Sequence, residues 1–143
     1  MKIGTKGRYA LSALVDLAVH GKGGPVALCE IAERQDISLF YLEQLFVRLR
    51  RASLVNSVRG RCGGYVLAKT ADAIAIADVM RAVGESVHPA RCDCRGGRDD
   101  CLSHDLWEQL GDEMLRYLDS VSLEDVCQRK IRRRIEAGAV AAE

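Results

Sequence analysis

Apolar residues recur at helical intervals from the start of the chain. Tyr9, Ala10, Ala13, Leu14, Leu17 and Ala18 share one face of a helix predicted over residues 5–19, with Thr5 as N-cap. The run GKGGP at 21–25 ends it. A short helix over 27–35 follows, with Leu28, Ile31 and Ala32 on one face. Asp36 and Ile37 then make a tight turn, and Ser38 N-caps a third helix over 39–52. The inner face of that helix is Leu42, Leu45, Phe46 and Leu49; its outer face holds Tyr41, Glu43, Gln44, Val47, Arg48 and Arg51. Two short helices joined by a tight turn form the helix-turn-helix pattern.

Residues 53–69 change period. Leu54, Val55 and Val58 lead into a tip of Arg59, Gly60, Arg61, Cys62, Gly63 and Gly64, and Tyr65, Val66 and Leu67 lead out. Two β-prone runs around a glycine-rich turn predict a hairpin, and a hairpin directly after a helix-turn-helix is a wing. A short helix over 75–83 precedes a polar loop from Gly84 to Asp100. An amphipathic helix over 102–118 comes next, its stripe made by Leu106, Trp107, Leu110, Met114, Tyr117 and Leu118. Ser122 caps a last helix predicted over 123–135, and residues 136–143 form a tail. The expected fold class is mainly α with a small β-hairpin wing. Residues 1–83 would form a winged helix-turn-helix domain, 84–103 a cysteine-rich loop, and 104–135 a dimerisation helix with a C-terminal helix.

The net charge of +1 conceals an asymmetry. Residues 1–70 carry eleven Lys/Arg and five Asp/Glu, whereas 71–143 carry ten and fifteen. A net of +6 on the first part points it at a polyanion. The N-terminal end of a helix in a major groove reaches base edges, where Gln can pair with adenine and Glu can accept from cytosine. Taken alone, a set such as Tyr41, Glu43 and Gln44 is more commonly an ordinary solvated face. Arg59 and Arg61, flanking Gly60 on a slim tip, can reach phosphates or a narrow minor groove. Helix-turn-helix, basic wing and charge split together favour double-stranded DNA as partner. No apolar run spans a membrane, and the N-terminus lacks the dense apolar centre of a signal peptide, so the expected location is cytoplasmic. No phosphate loop, nucleophile–base pair or hydrolytic motif suggests an enzyme.

Three cysteines and a histidine crowd into RCDCRGGRDDCLSH at 91–104. In a reducing compartment such clusters favour metal or redox chemistry over structural disulfides. Cys92 and Cys94 can point the same way in an extended segment, and Cys101 and His104 share a face once a helix has begun. Four donors in two pairs suit a two-iron cluster. They also make a closed tetrahedral zinc site, although C-x-C is tighter than usual zinc spacing. A bare redox-thiol loop is the third reading, with Asp93, Asp99 and Asp100 raising thiol pKa values and Arg91, Arg95 and Arg98 lowering them. Cys29 and Cys127 read as small core residues, His20 as a helix-end residue, and His88 as the one substitute imidazole near the loop.

The stretches TKGRYALSALVDLA, ISLFYLEQLFVRLRRASLVNSVRG, GGYVLAK and CLSHDLWEQL resemble the IscR-type iron–sulfur transcription regulators over about residues 1–121. The resemblance implies a winged-helix homodimer on a pseudo-palindromic operator, with one 2Fe–2S cluster per subunit. It places Tyr41, Glu43 and Gln44 on the recognition helix, and Ser57, Arg59 and Gly60 on the wing. It gives Glu43 a part in discriminating operators according to cluster state. The candidate DNA-binding set is thus Ser38, Tyr41, Glu43, Gln44, Ser57, Arg59, Gly60 and Arg61. The candidate ligands are Cys92, Cys94, Cys101 and His104. The chain departs from the family pattern in several places. Arg61 and Cys62 stand where proline and glycine are usual, and Phe40 replaces a small polar residue. The cysteine loop is shorter, with Cys94 nearer the first ligand. Related regulators hold 4Fe–4S clusters with three cysteines, so 4Fe–4S and zinc stand as alternative cofactors. A zinc or thiol-redox regulator, and an iron–sulfur electron-transfer protein, are the competing functions.

Overall fold

The computed structural model describes residues 3–88 and 103–131. Helix α1 (Thr5–His20) is followed by a 3₁₀ turn (Gly21–Gly23), α2 (Leu28–Gln35) and α3 (Leu39–Arg51). A hairpin of β1 (Val55–Val58) and β2 (Gly64–Leu67) comes next, then α4 (Ile76–Ala82), α5 (His104–Ser120) and α6 (Leu123–Cys127). The expected mainly helical winged helix-turn-helix is what forms.

The helical periods seen in the sequence become the core. Ala10, Ala13, Leu14 and Leu17 of α1 meet Ile31 of α2 and Leu42, Leu45, Phe46 and Leu49 of α3. Ile74, Val79, Val83 and Leu123 close the same cluster from below. A second, smaller cluster of Ile76, Met80, Val87 and Val121 takes Met114, Leu115 and Leu118 from α5.

One buried charge sits among these residues. Asp16, 3% exposed, receives two hydrogen bonds from Arg34 Nε (3.0 and 3.2 Å), one from Arg34 Nη2 (2.6 Å) and one from Gln35 Nε2 (2.9 Å). His20, at the end of α1, sets Nδ1 3.0 Å from the Asp16 carbonyl oxygen. Burial pushes the Asp16 carboxyl up, but the bonds from Arg34 and Gln35 and the charge of Arg34 outweigh it, and its pKa falls below the ordinary value. The pair pins the C-terminal end of α2 to α1. The turn to α3 then follows from Asp36, which adopts the left-handed conformation (φ 52°), while buried Ile37 donates its N–H to the Ala32 carbonyl.

Three expectations are corrected. The N-cap of α1 is Gly4, not Thr5. Its first N–H groups are satisfied from far along the chain: Gly4 N–H and Gly7 N–H donate to the two oxygens of Glu85, each at 2.9 Å. Cys29 is exposed rather than in the core, because the buried face of α2 is taken by Ile31 and Ala32. Helix α6 ends at Cys127 rather than continuing to 135, since Arg129 adopts a left-handed conformation (φ 55°) and Lys130 N–H turns back to the Asp125 carbonyl. Ser122 does cap α6, in a reciprocal box with Asp125. Cys127 is half-buried against the core as expected, and burial, aided by Glu124, pushes its thiol pKa up.

Two predictions concern stability. Arg34→Ala should cost more than Asp16→Ala, because it strands a carboxylate 1% exposed, whereas the guanidinium left by Asp16→Ala is 34% exposed and reaches water. Urea titration should give losses of about 3 and about 2 kcal/mol. Glu85 has its pKa lowered by the bonds from Gly7 and Gly4. Its contribution is therefore complete above the unfolded-state value and lost as pH falls through the depressed folded value. Glu85→Gln should lower the urea midpoint at neutral pH and leave it nearly unchanged in acid.

Candidate nucleic-acid interface and cysteine loop

The outer face of α3 carries the expected polar set. Ser38 Oγ accepts from Tyr41 N–H at 3.5 Å and starts the helix. Glu43, Gln44, Val47, Arg48 and Arg51 are exposed, opposite the buried Leu42, Leu45, Phe46 and Leu49. Tyr41 is only half-exposed: its ring meets Tyr9 of α1 edge-on, with centroids 5.9 Å apart and planes at 82°. It therefore braces the helix as well as facing outward.

The wing pairs antiparallel in the register Val55↔Leu67, Asn56↔Val66, Ser57↔Tyr65 and Val58↔Gly64. Ser57, Arg59, Gly60 and Arg61 are all exposed. Gly60 has φ 121°, a conformation that a side chain would strain, and it turns the tip so that Arg59 and Arg61 stand clear of the strands. Cys62 is exposed beside them. Two contacts fix the wing against the helices. Tyr65 packs edge-on against Phe46 of α3, with centroids 4.9 Å apart. Its backbone also exchanges hydrogen bonds with Val26 (3.0 and 2.8 Å) just before α2. Helix α3 and the wing thus share one aromatic anchor.

The segment leading to the cysteines is tied to three helices. Arg48 Nη1 of α3 donates to the Val83 carbonyl at 2.8 Å, and Glu85 holds the start of α1. His88 rests on α5: Nε2 lies 3.2 Å from Asp112 Oδ1, and a β-carbon at Gly111 would come within 2.3 Å of the imidazole Cδ2. Only glycine admits that approach. Residues 83–88 form a strap joining α3, α1 and α5. Sequence reasoning passed over Glu85 and the role of Gly111; the one local signal was a glycine in the middle of a helix, where it costs about 1 kcal/mol against alanine.

Of the candidate ligands, His104 is the first residue of α5, half-buried, with Nε2 3.7 Å from Glu108 Oε1. Cys92, Cys94 and Cys101 lie outside the described residues. Among the described residues no cluster of His, Cys, Asp or Glu suits a metal ion. Helix α5 buries Gly111 alone and leaves Leu106, Trp107 and Tyr117 exposed. No described helix is long and apolar enough to cross a membrane.

Known proteins share this architecture. Residues 3–129 match the Rrf2 family, described as iron-dependent transcriptional regulators. The HTH-type transcriptional regulator IscR of Photorhabdus laumondii is 52% identical over 130 residues, covering 88% of this chain and 79% of that protein. IscR of Escherichia coli O1:K1 is 50% identical over 127 residues, covering 86% and 78%. Among solved structures, CymR, the global cysteine regulator of B. subtilis, superposes with a TM-score of 0.77 at 38% identity, covering 90% of this chain and 98% of that one. T. potens IscR superposes with a TM-score of 0.75 at 38% identity, covering 93% and 90%. These relatives are regulators, not enzymes, and the likeness to them runs over most of this chain. The chain belongs to the Rrf2 family of transcriptional regulators.

Proposed function

We propose that this regulator binds DNA as a cytoplasmic homodimer on a pseudo-palindromic operator and senses iron–sulfur status through a 2Fe–2S cluster. The observation that carries the DNA reading is the Phe46–Tyr65 contact, which holds the exposed face of α3 and the Arg59–Arg61 tip in one fixed relation. Tyr41, Glu43 and Gln44 would meet base edges from α3, with Ser38 at its start, while Ser57, Arg59, Gly60 and Arg61 would follow the backbone. The exposed Leu106, Trp107 and Tyr117 on α5 support a second copy as partner, since a row of large apolar side chains left in water favours burial.

Three thiolates and one imidazole suit the cluster chemically, and His104 at the first position of α5 stands three residues after Cys101. Cys92, Cys94, Cys101 and His104 would hold it, and when bound it supplies an oxidisable, removable centre. The chain's own residues supply the connection: from Val83, held by Arg48, only five residues lead to His88 and the edge of the cysteine segment. A change there can bias α3 only by its differential fit to two arrangements of this strap. Zinc on the same donors is the second reading, favoured by the closed set of four.

Anaerobic purification with optical spectra and iron and sulfide assay tests the cofactor. Visible absorption with matched iron and sulfide is expected; a colourless protein with stoichiometric zinc would favour the second reading. Cys101→Ala and His104→Ala should abolish or weaken the absorption with far-UV circular dichroism unchanged. On the DNA side, Arg59→Ala should weaken binding by about tenfold across sequences and reduce the salt slope by about one. Unchanged affinity and unchanged salt slope would count against the wing as a phosphate contact.

A further inference from the structure

We infer that Phe40 reads DNA, recognising the 5-methyl group of a thymine in the major groove. This rests on α3 being the helix that enters the groove. Phe40 is 70% exposed, more than any other large apolar residue described. It is the second residue of α3 and lies on the outer stripe with Gln44, Val47 and Arg51, opposite Leu42, Leu45, Phe46 and Leu49. Helical side chains lean toward the N-terminus, so the ring projects beyond the first turn, the part of a recognition helix that reaches base edges.

The charges carried by the same helix and its wing decide what kind of partner such a ring meets. Arg48, Arg50 and Arg51 share its helix, and Arg59 and Arg61 stand on the adjoining wing, all exposed. An apolar ring on a helix that, with its wing, carries five exposed arginines suits a polyanion that also offers an apolar group. In the major groove only thymine does so, through its methyl group, and apolar side chains read that group by direct contact. Phe40, Glu43 and Gln44 then form a compact reader: an apolar contact for thymine, an acceptor for cytosine N4 and an amide for adenine.

The test uses duplexes that the full-length protein selects from a random library. Each thymine in the selected site is replaced in turn by deoxyuridine, which lacks only the methyl group. Wild type should lose about three- to fivefold when one thymine is changed in one half-site, the worth of one buried methyl group, and about fifteenfold when the matching thymine of both half-sites is changed. Phe40→Ala should bind the thymine site about as weakly as wild type binds the deoxyuridine site, and should ignore the replacement. Arg59→Ala should bind weakly but keep the sensitivity. Uniform insensitivity of wild type, or sensitivity retained by Phe40→Ala, overturns the inference while leaving DNA binding intact. A change of oligomeric state in Phe40→Ala with sensitivity retained would assign the ring to a protein contact. Failure of wild type to select any sequence would overturn both this inference and the DNA reading beneath it.

Discussion

A carboxylate held out of water within a helix is stable only when its charge and its lone pairs are both answered, and the hydrogen bonds that answer Asp16 come from α2. Arg34 gives it three hydrogen bonds and Gln35 a fourth. Apolar packing between α1 and α2 is non-directional, whereas a forked guanidinium on one carboxylate fixes both distance and angle. The pair thereby sets where α2 ends, where Asp36 turns the chain and the direction in which α3 leaves. Everything that faces outward from α3 inherits its position from that bond.

From α3 the constraint passes on through two side chains. Phe46 reaches the wing through Tyr65, and Arg48 reaches the strap through the Val83 carbonyl. The wing and the entrance to the cysteine segment are thus joined to neighbouring positions on one helix. Interiors packed in this way switch between discrete arrangements rather than deforming smoothly, which suits a device that must be either fit or unfit for its target.

Much of this was legible in the sequence, because the signals were local. The inner faces of α1 and α3 followed from period, Ser38 from capping chemistry, and the wing from glycines between β-prone runs. What escaped was long-range. Glu85 caps α1 from nearly eighty residues away, and no spacing rule links the two. Cys29 looked like a core residue because cysteine usually is; the two core positions of its short helix were already filled. Helix α6 stops where Arg129 turns left-handed, a conformation that arginine rarely adopts and a sequence does not advertise. The ligand set was read from spacing and resemblance, and only His104 among its members lies in the described residues.

The seat of His88 on Gly111 has a thermodynamic consequence for residues 89–102. His88 lies against α5 about two turns, roughly 10 Å, beyond the helix start at His104. The fourteen residues between these anchors therefore begin and end on the same helix. Bringing the ends of a free chain of that length together costs about 2 kcal/mol of entropy. Folding meets that cost through the anchors alone, so any group that bound between them would not have to meet it again. A larger residue at position 111 would displace the His88 ring and leave Val87, buried against Met114, Leu115 and Leu118, as the remaining hold on that end.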